Sequence, residues 1–174
     1  MADRVFILVV AGQHSFLGAL ENSGLRVLDV LNDASTEFVH LHDVVVSRGF
    51  HGECLKQILD ATIPKSTIDF VLFDPKTHEA PMRRRHAFVE KRPQSALVLL
   101  ADYEIRGTFM LKGSPDSLLV LQHGLSTFFP FTSARVCRLG TTSDSVSAEV
   151  ALVNKSKVSL LHLERQSITG DPNK

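Results

Sequence analysis

The stretch Ala61-Thr62-Ile63-Pro64-Lys65-Ser66-Thr67-Ile68-Asp69-Phe70-Val71-Leu72-Phe73-Asp74 returns ninety residues later as Ala151-Leu152-Val153-Asn154-Lys155-Ser156-Lys157-Val158-Ser159-Leu160-Leu161-His162-Leu163-Glu164. Ala61, Lys65 and Ser66 recur unchanged, and the apolar positions agree through most of the stretch. At the same shift, residues 19–74 lie over 109–164 without a gap, with nine identities in 56 pairs. The other six are Leu28/Leu118, Val30/Val120, Leu31/Leu121, Phe38/Phe128, Val46/Val136 and Arg48/Arg138. At a shift of 89, Leu8-Val9-Val10 meets Leu97-Val98-Leu99 and Gly18 meets Gly107, so one single-residue indel aligns nearly the whole of both halves. Self-similarity at a fixed period is the signature of a repeated structural unit.

Each half reads as the same series of elements. Short apolar runs predict first strands over Val5–Ala11 and Ala96–Ala101, and second strands over His14–Leu20 and Ile105–Leu111. Gly12-Gln13 and Asp102-Tyr103-Glu104 supply tight turns between them. A short helix follows. In the first half it spans Gly24–Asn32, with Leu25, Leu28 and Leu31 on one face. In the second half Ser114 is the expected N-cap, Pro115 and Asp116 favour the first turn, and Gly124 ends it. Long strands are expected over Glu37–Arg48 and Thr127–Arg138, with Pro130 marking an edge, a bulge or a bend, and last strands over Ile68–Phe73 and Val158–Leu163. Residues 53–61 read as one or two helical turns and Ser143–Glu149 as a loop.

The expected fold is therefore mainly β with a little α: an internal duplication of a ββαββ unit. A one-sided apolar sheet must curl or pack to bury that face. Two small bent antiparallel sheets or SH3/Sm-like barrels are expected, packed as a pseudo-dimer. The organisation is residues 1–75, first repeat; 76–95, a basic, proline-containing linker; 96–165, second repeat; and 166–174, a polar tail. An even spacing places Phe38 with Val46, and Phe128 with Val136, on one core face of each long strand.

The phrases Leu25-Arg26-Val27-Leu28-Asp29-Val30-Leu31-Asn32, Glu37-Phe38-Val39-His40-Leu41-His42-Asp43-Val44 and Ile63-Pro64-Lys65-Ser66-Thr67-Ile68 carry a resemblance. They resemble an uncharacterised family of small bacterial β-rich domains with an R-L-x-D-x-L-N helix, an F-I-P-L-x-D-A-x-V strand and a V-N-K-x-x-I strand. Phe128-Phe129-Pro130-Phe131-Thr132-Ser133-Ala134-Arg135-Val136 and Val153-Asn154-Lys155-Ser156-Lys157-Val158 repeat that pattern, with Leu119 and Gln122 replacing the helical Asp and Asn. That family implies a bacterial β-domain and no known activity. The opening strand-turn-strand, with Gly18 and Gly107, and the hairpins Ile63–Ile68 and Val153–Val158 also resemble Sm-like or SH3-like small barrels. This second resemblance implies nucleic-acid binding, although Lys65 and Lys155 stand where Sm proteins carry Gly.

Composition narrows the function. Nineteen Lys+Arg balance nineteen Asp+Glu, with a pI near 7.1, so the chain lacks the standing basic field of a dedicated polyanion binder. Cys54 and Cys137 are too few for a disulfide framework, which fits a cytoplasmic protein. No apolar run is long enough for a membrane span. There is no Walker loop, no G-x-G-x-x-G and no G-x-S-x-G around Ser15, Ser66 or Ser156, so no cofactor and no catalytic residue is expected.

Three groups of residues remain as candidates. Arg83, Arg84, Arg85, Lys91 and Arg92 form a basic run suited to an anionic ligand or acidic surface. Lys65-Ser66 and Lys155-Ser156 recur at equivalent places, either as turn formers with a solvated lysine or as a paired ligand site. His40 and His42 share a strand face, with Asp43 and His51 close in sequence, and are weak candidates to bind Zn²⁺.

The expected role is a non-enzymatic protein-interaction or adaptor module. The partner is another protein, and the chain is a monomer with an internal pseudo-two-fold or a weak homodimer. The alternatives are an Sm/SH3-like nucleic-acid binder using the basic linker, and a ligand- or metal-binding sensor domain.

Overall fold

The computed structural model describes residues 4–50, 52–75, 92–111, 116–124, 126–140 and 144–164. The first half contains β1 (Arg4–Ala11), β2 (His14–Glu21), α1 (Val27–Asn32), β3 (Phe38–Arg48), β4 (Cys54–Pro64) and β5 (Phe70–Phe73). The second contains β6 (Arg92–Leu99), β7 (Tyr103–Leu111), α2 (Ser117–Leu119), β8 (Phe128–Arg138), β9 (Ser145–Asn154) and β10 (Leu160–Leu163). A π-turn, Val120–Gly124, continues α2, and 3₁₀ turns at Lys65–Thr67 and Lys155–Lys157 precede the last strand of each half. The protein is thus mainly β.

The ten strands of the described residues form one open sheet in the order β10-β6-β7-β8-β9-β5-β1-β2-β3-β4. Strand order is the same within each half: last, first, second, third, fourth. The expected pair of small barrels is replaced by this single sheet. The reason is β5, which pairs with β1 on one side and with β9 on the other, so the ladder runs straight through the junction. The junction also joins unlike strands, β5 to β9. The two halves thus meet through the last strand of the first and the fourth strand of the second.

Four local expectations are corrected. Residues 54–61 and 145–149 are strand, not a helical segment and a loop: β4 and β9 cover Cys54–Pro64 and Ser145–Asn154, each paired along β3 or β8, while Ser143 lies outside the described residues. Cross-strand hydrogen bonds here override a local sequence without clear alternation. The second segment begins in β6 at Arg92, inside the expected linker, with Pro93 opposite Met110. Helix α1 is shorter than expected; Ser114 and Pro115, the expected cap and first turn of α2, lie outside the described residues, and Asp116 Oδ1 accepts from the N–H of Leu118 (2.9 Å) and Leu119 (3.4 Å). Pro130 sits beyond the last β7 pairing at Thr132, so its missing N–H is tolerated inside a central strand.

The fourth correction concerns the phase of the long strands. Asp43 and Ser133 adopt positive φ (53° and 50°), and both lie where β3 and β8 slip register against Gly18 and Gly107. At Gly18 and Gly107 an added Cβ would sit 3.0 and 2.9 Å from the His42 and Thr132 carbonyls, so the bulge requires glycine opposite it. Each bulge flips the alternation. Val39, Leu41 and Val44 are buried, as are Phe129, Phe131, Ala134 and Val136, while Phe38 lies on the outer face, 52% exposed. Phe128 shares that outer face but is 0% exposed, because the first half covers it.

Two cores result, and each takes side chains from both halves. One is built on Tyr103, Ile105, Phe129 and Phe131 and receives Val10, Phe70 and Leu72. The other is built on Ile7, Val9, Leu41 and Ile68 and receives Phe128 and Leu152.

Candidate functional site

The junction gathers most of the repeated polar residues. Lys65 enters from its 3₁₀ turn and is buried, not solvated as a simple turn lysine would be. Its Nζ donates to Val30 O (2.8 Å), Asp33 O (2.8 Å) and Thr36 Oγ1 (2.9 Å), closing the C-terminal end of α1 with a cation. Burial pushes its pKa below the ordinary lysine value, partly offset by Asp33. All three donors are used within the chain, so Lys65 is a structural strut. Ser156 donates its N–H (3.0 Å) and its Oγ–H (2.8 Å) to Asn154 Oδ1. Asn154 Nδ2 in turn donates to Ile68 O (2.8 Å) and Lys65 O (3.3 Å) across the junction. From the other side, Asn32 grips the peptide of Phe128, accepting from its N–H (2.8 Å) and donating to its C=O (2.9 Å). An open cavity of about 620 Å³ runs between these groups, lined by Lys65, Ser66, Asn154, Ser156 and Phe38. Lys155 is half-buried outside it.

A second cluster lies on the outer face of β3 and β4, upstream of the Asp43 bulge. His40 and His42 stack edge-on with ring centroids 4.8 Å apart. The β4 register sets Asp60 opposite His42, and the two bond through Nδ1 and Oδ1 at 2.6 Å. Asp60 Oδ1 lies 3.7 Å from His40 Nε2, and Glu21 Oε2 lies 3.8 Å from His42 Nε2. One ligand atom from each of His40, His42 and Asp60 falls within 4.8 Å of the other two. Two imidazoles and a carboxylate are a ligand set of the kind zinc takes, and their half-exposed position leaves room for solvent ligands. The third group is Asp60 and not Asp43, which the bulge directs towards Arg4 (3.8 Å). A helical reading of residues 53–61 hides Asp60. Its signal was the Asp60-x-Thr62 alternation facing His42 and His40. His51 lies outside the described residues.

The remaining candidates do not converge. Arg83, Arg84, Arg85 and Lys91 lie outside the described residues, as do 166–174, and Arg92 is exposed at the start of β6. Ser15 is buried and donates to Gly49 O (2.7 Å), so its hydroxyl is committed to the β2–β3 region. Cys54 is exposed and Cys137 half-buried, both as thiols. Among the described residues no helix is long and apolar enough to cross a membrane. Comparison of the chain with family models, curated proteins and solved structures finds no match.

Proposed function

We propose that this chain is a tandem duplication of one β-unit that works as a non-enzymatic protein-interaction module in the bacterial cytoplasm, docking a partner on the open edge of its sheet. The observation that carries this reading is the edge strand β4. It is eleven residues long, pairs with β3 on one side and, among the described residues, ends the sheet on the other. Natural sheets shorten such edges or line them with charge, because unpaired N–H and C=O groups template another strand. Here Leu59 is 79% exposed, and Leu55 and neighbouring Phe38 are about half exposed. A polar row of Lys56 and Asp60 between them supplies a rim.

A photo-crosslinking residue placed at Leu59 tests this in cells, with the exposed Arg106 as control. One discrete protein adduct from Leu59 and none from Arg106 is the expected result. A nucleic-acid adduct, or no adduct from either place, overturns it. The His40–His42–Asp60 cluster favours a second reading, a module whose edge responds to a divalent transition metal. Zinc titration followed calorimetrically, compared with His42→Ala, decides it: stoichiometric binding lost in the variant supports that reading, and no heat excludes it.

A further inference from the structure

We propose that the two ends of the sheet form one interface, and that a second copy of this chain lays its β10 along β4 as β5 lies along β9 within the chain. The inference rests on the interaction-module reading and names its partner. The junction joins unlike strands, and their counterparts ninety residues away, β10 and β4, are the two terminal strands among the described residues. One copy therefore ends in the element that the other copy's beginning accepts. Within the chain the register is Phe70↔Val153, Val71↔Leu152, Leu72↔Ala151 and Phe73↔Val150. Carried over, it sets Leu160 against Ile63, Leu161 against Thr62, His162 against Ala61 and Leu163 against Asp60.

The side chains around the open ends match what the junction buries. Phe128 is fully covered by the first half, whereas its counterpart Phe38 is 52% exposed. Asn32 forks onto the Phe128 peptide, and its counterpart Gln122, an exposed residue of the π-turn, carries the same amide one methylene further out. Leu118 and Leu160 are likewise exposed, where their counterparts Leu28 and Phe70 are half-buried and buried. Three differences make the contact weaker than the junction. Thr62, Asp60 and Pro64 stand for Leu152, Val150 and Asn154, and Pro64 reproduces neither the Asn154 side-chain bond to Ile68 O nor its N–H bond to Asp69 O. The copies accordingly associate with concentration, and the contact, being heterologous, continues from copy to copy until it closes or extends.

Cysteine trapping tests the register in a Cys54→Ser, Cys137→Ser background. The bond from Asn154 N–H to Asp69 O (3.0 Å) puts Leu72–Ala151 in the non-hydrogen-bonded, closer class of antiparallel pair. Ala61→Cys and His162→Cys therefore meet at disulfide distance. Mixed and oxidised, the two single variants should yield a covalent dimer, and neither should do so alone. Sedimentation of the unmodified chain should show mass rising with concentration. Phe38→Asp should return it to the monomer with an unchanged circular dichroism spectrum, and Gln122→Ala should weaken association several-fold. A monomer at every concentration, or Ala61→Cys linking to itself as readily as to His162→Cys, overturns the proposal. A monomer whose Leu59 still captures a different protein in cells defeats the second copy alone and leaves the module reading standing.

Discussion

Phe128→Ala and Phe38→Ala form a matched pair that tests the asymmetry of the junction. The two residues are counterparts on the outer face of β8 and β3, yet one is fully buried and the other half exposed. A buried aromatic side chain removes roughly 150–250 Å² from water, worth about 4–6 kcal/mol at 25 cal/mol per Å². Alanine keeps part of that, while the cavity left beneath Asn32 adds to the loss, so Phe128→Ala should cost about 3–5 kcal/mol. Phe38 already leaves half its surface in water and lines a cavity that is open to solvent, so its truncation should cost no more than about 2 kcal/mol. Because Phe128 belongs to the first-half core, its loss should lower one shared transition and not split it in two. Urea unfolding at low protein concentration, read by far-ultraviolet circular dichroism, gives both midpoints. Equal costs for the two variants, or a wild-type midpoint for Phe128→Ala, would refute the placement of Phe128 in the junction.

Asn32→Ala should cost about 1–3 kcal/mol, since it leaves the N–H and C=O of Phe128 without the amide that pairs both, and exchange of the Phe128 amide hydrogen should speed up. Lys65→Met keeps the stem but strips three acceptors at the end of α1, and a loss of about 2–3 kcal/mol in urea unfolding is expected; an unchanged midpoint would show those oxygens are solvated. Burial holds the Tyr103 phenol above its ordinary 10.0, so between that value and its raised pKa the unfolded chain has lost a proton the folded chain retains. Stability should therefore fall as pH rises past about 10, and Tyr103→Phe should flatten that fall. Lys65 acts in the opposite sense: its lowered pKa means the folded chain sheds the proton first, so its share of stability rises with pH up to 10.5, and a steeper alkaline fall in Lys65→Met is the expected sign.

The sequence by itself determined eight of the ten described strands, because apolar runs and turns are local properties of the chain. β1, β2, β3 and their counterparts all lie within a few residues of where their patterns end. What the sequence left open belongs to contacts between distant segments. β4 and β9 carry weak alternation and exist because β3 and β8 offer a row of backbone partners. The bulges at Asp43 and Ser133 reverse the facing of everything beyond them, and they depend on Gly18 and Gly107 in a neighbouring strand. The His40–His42–Asp60 cluster follows from that register. So does the opposite fate of two identical phenylalanines: Phe38 and Phe128 have equivalent places in their strands, but only one has the other half of the molecule laid over it, and burial is set by what packs on a residue from outside its own strand.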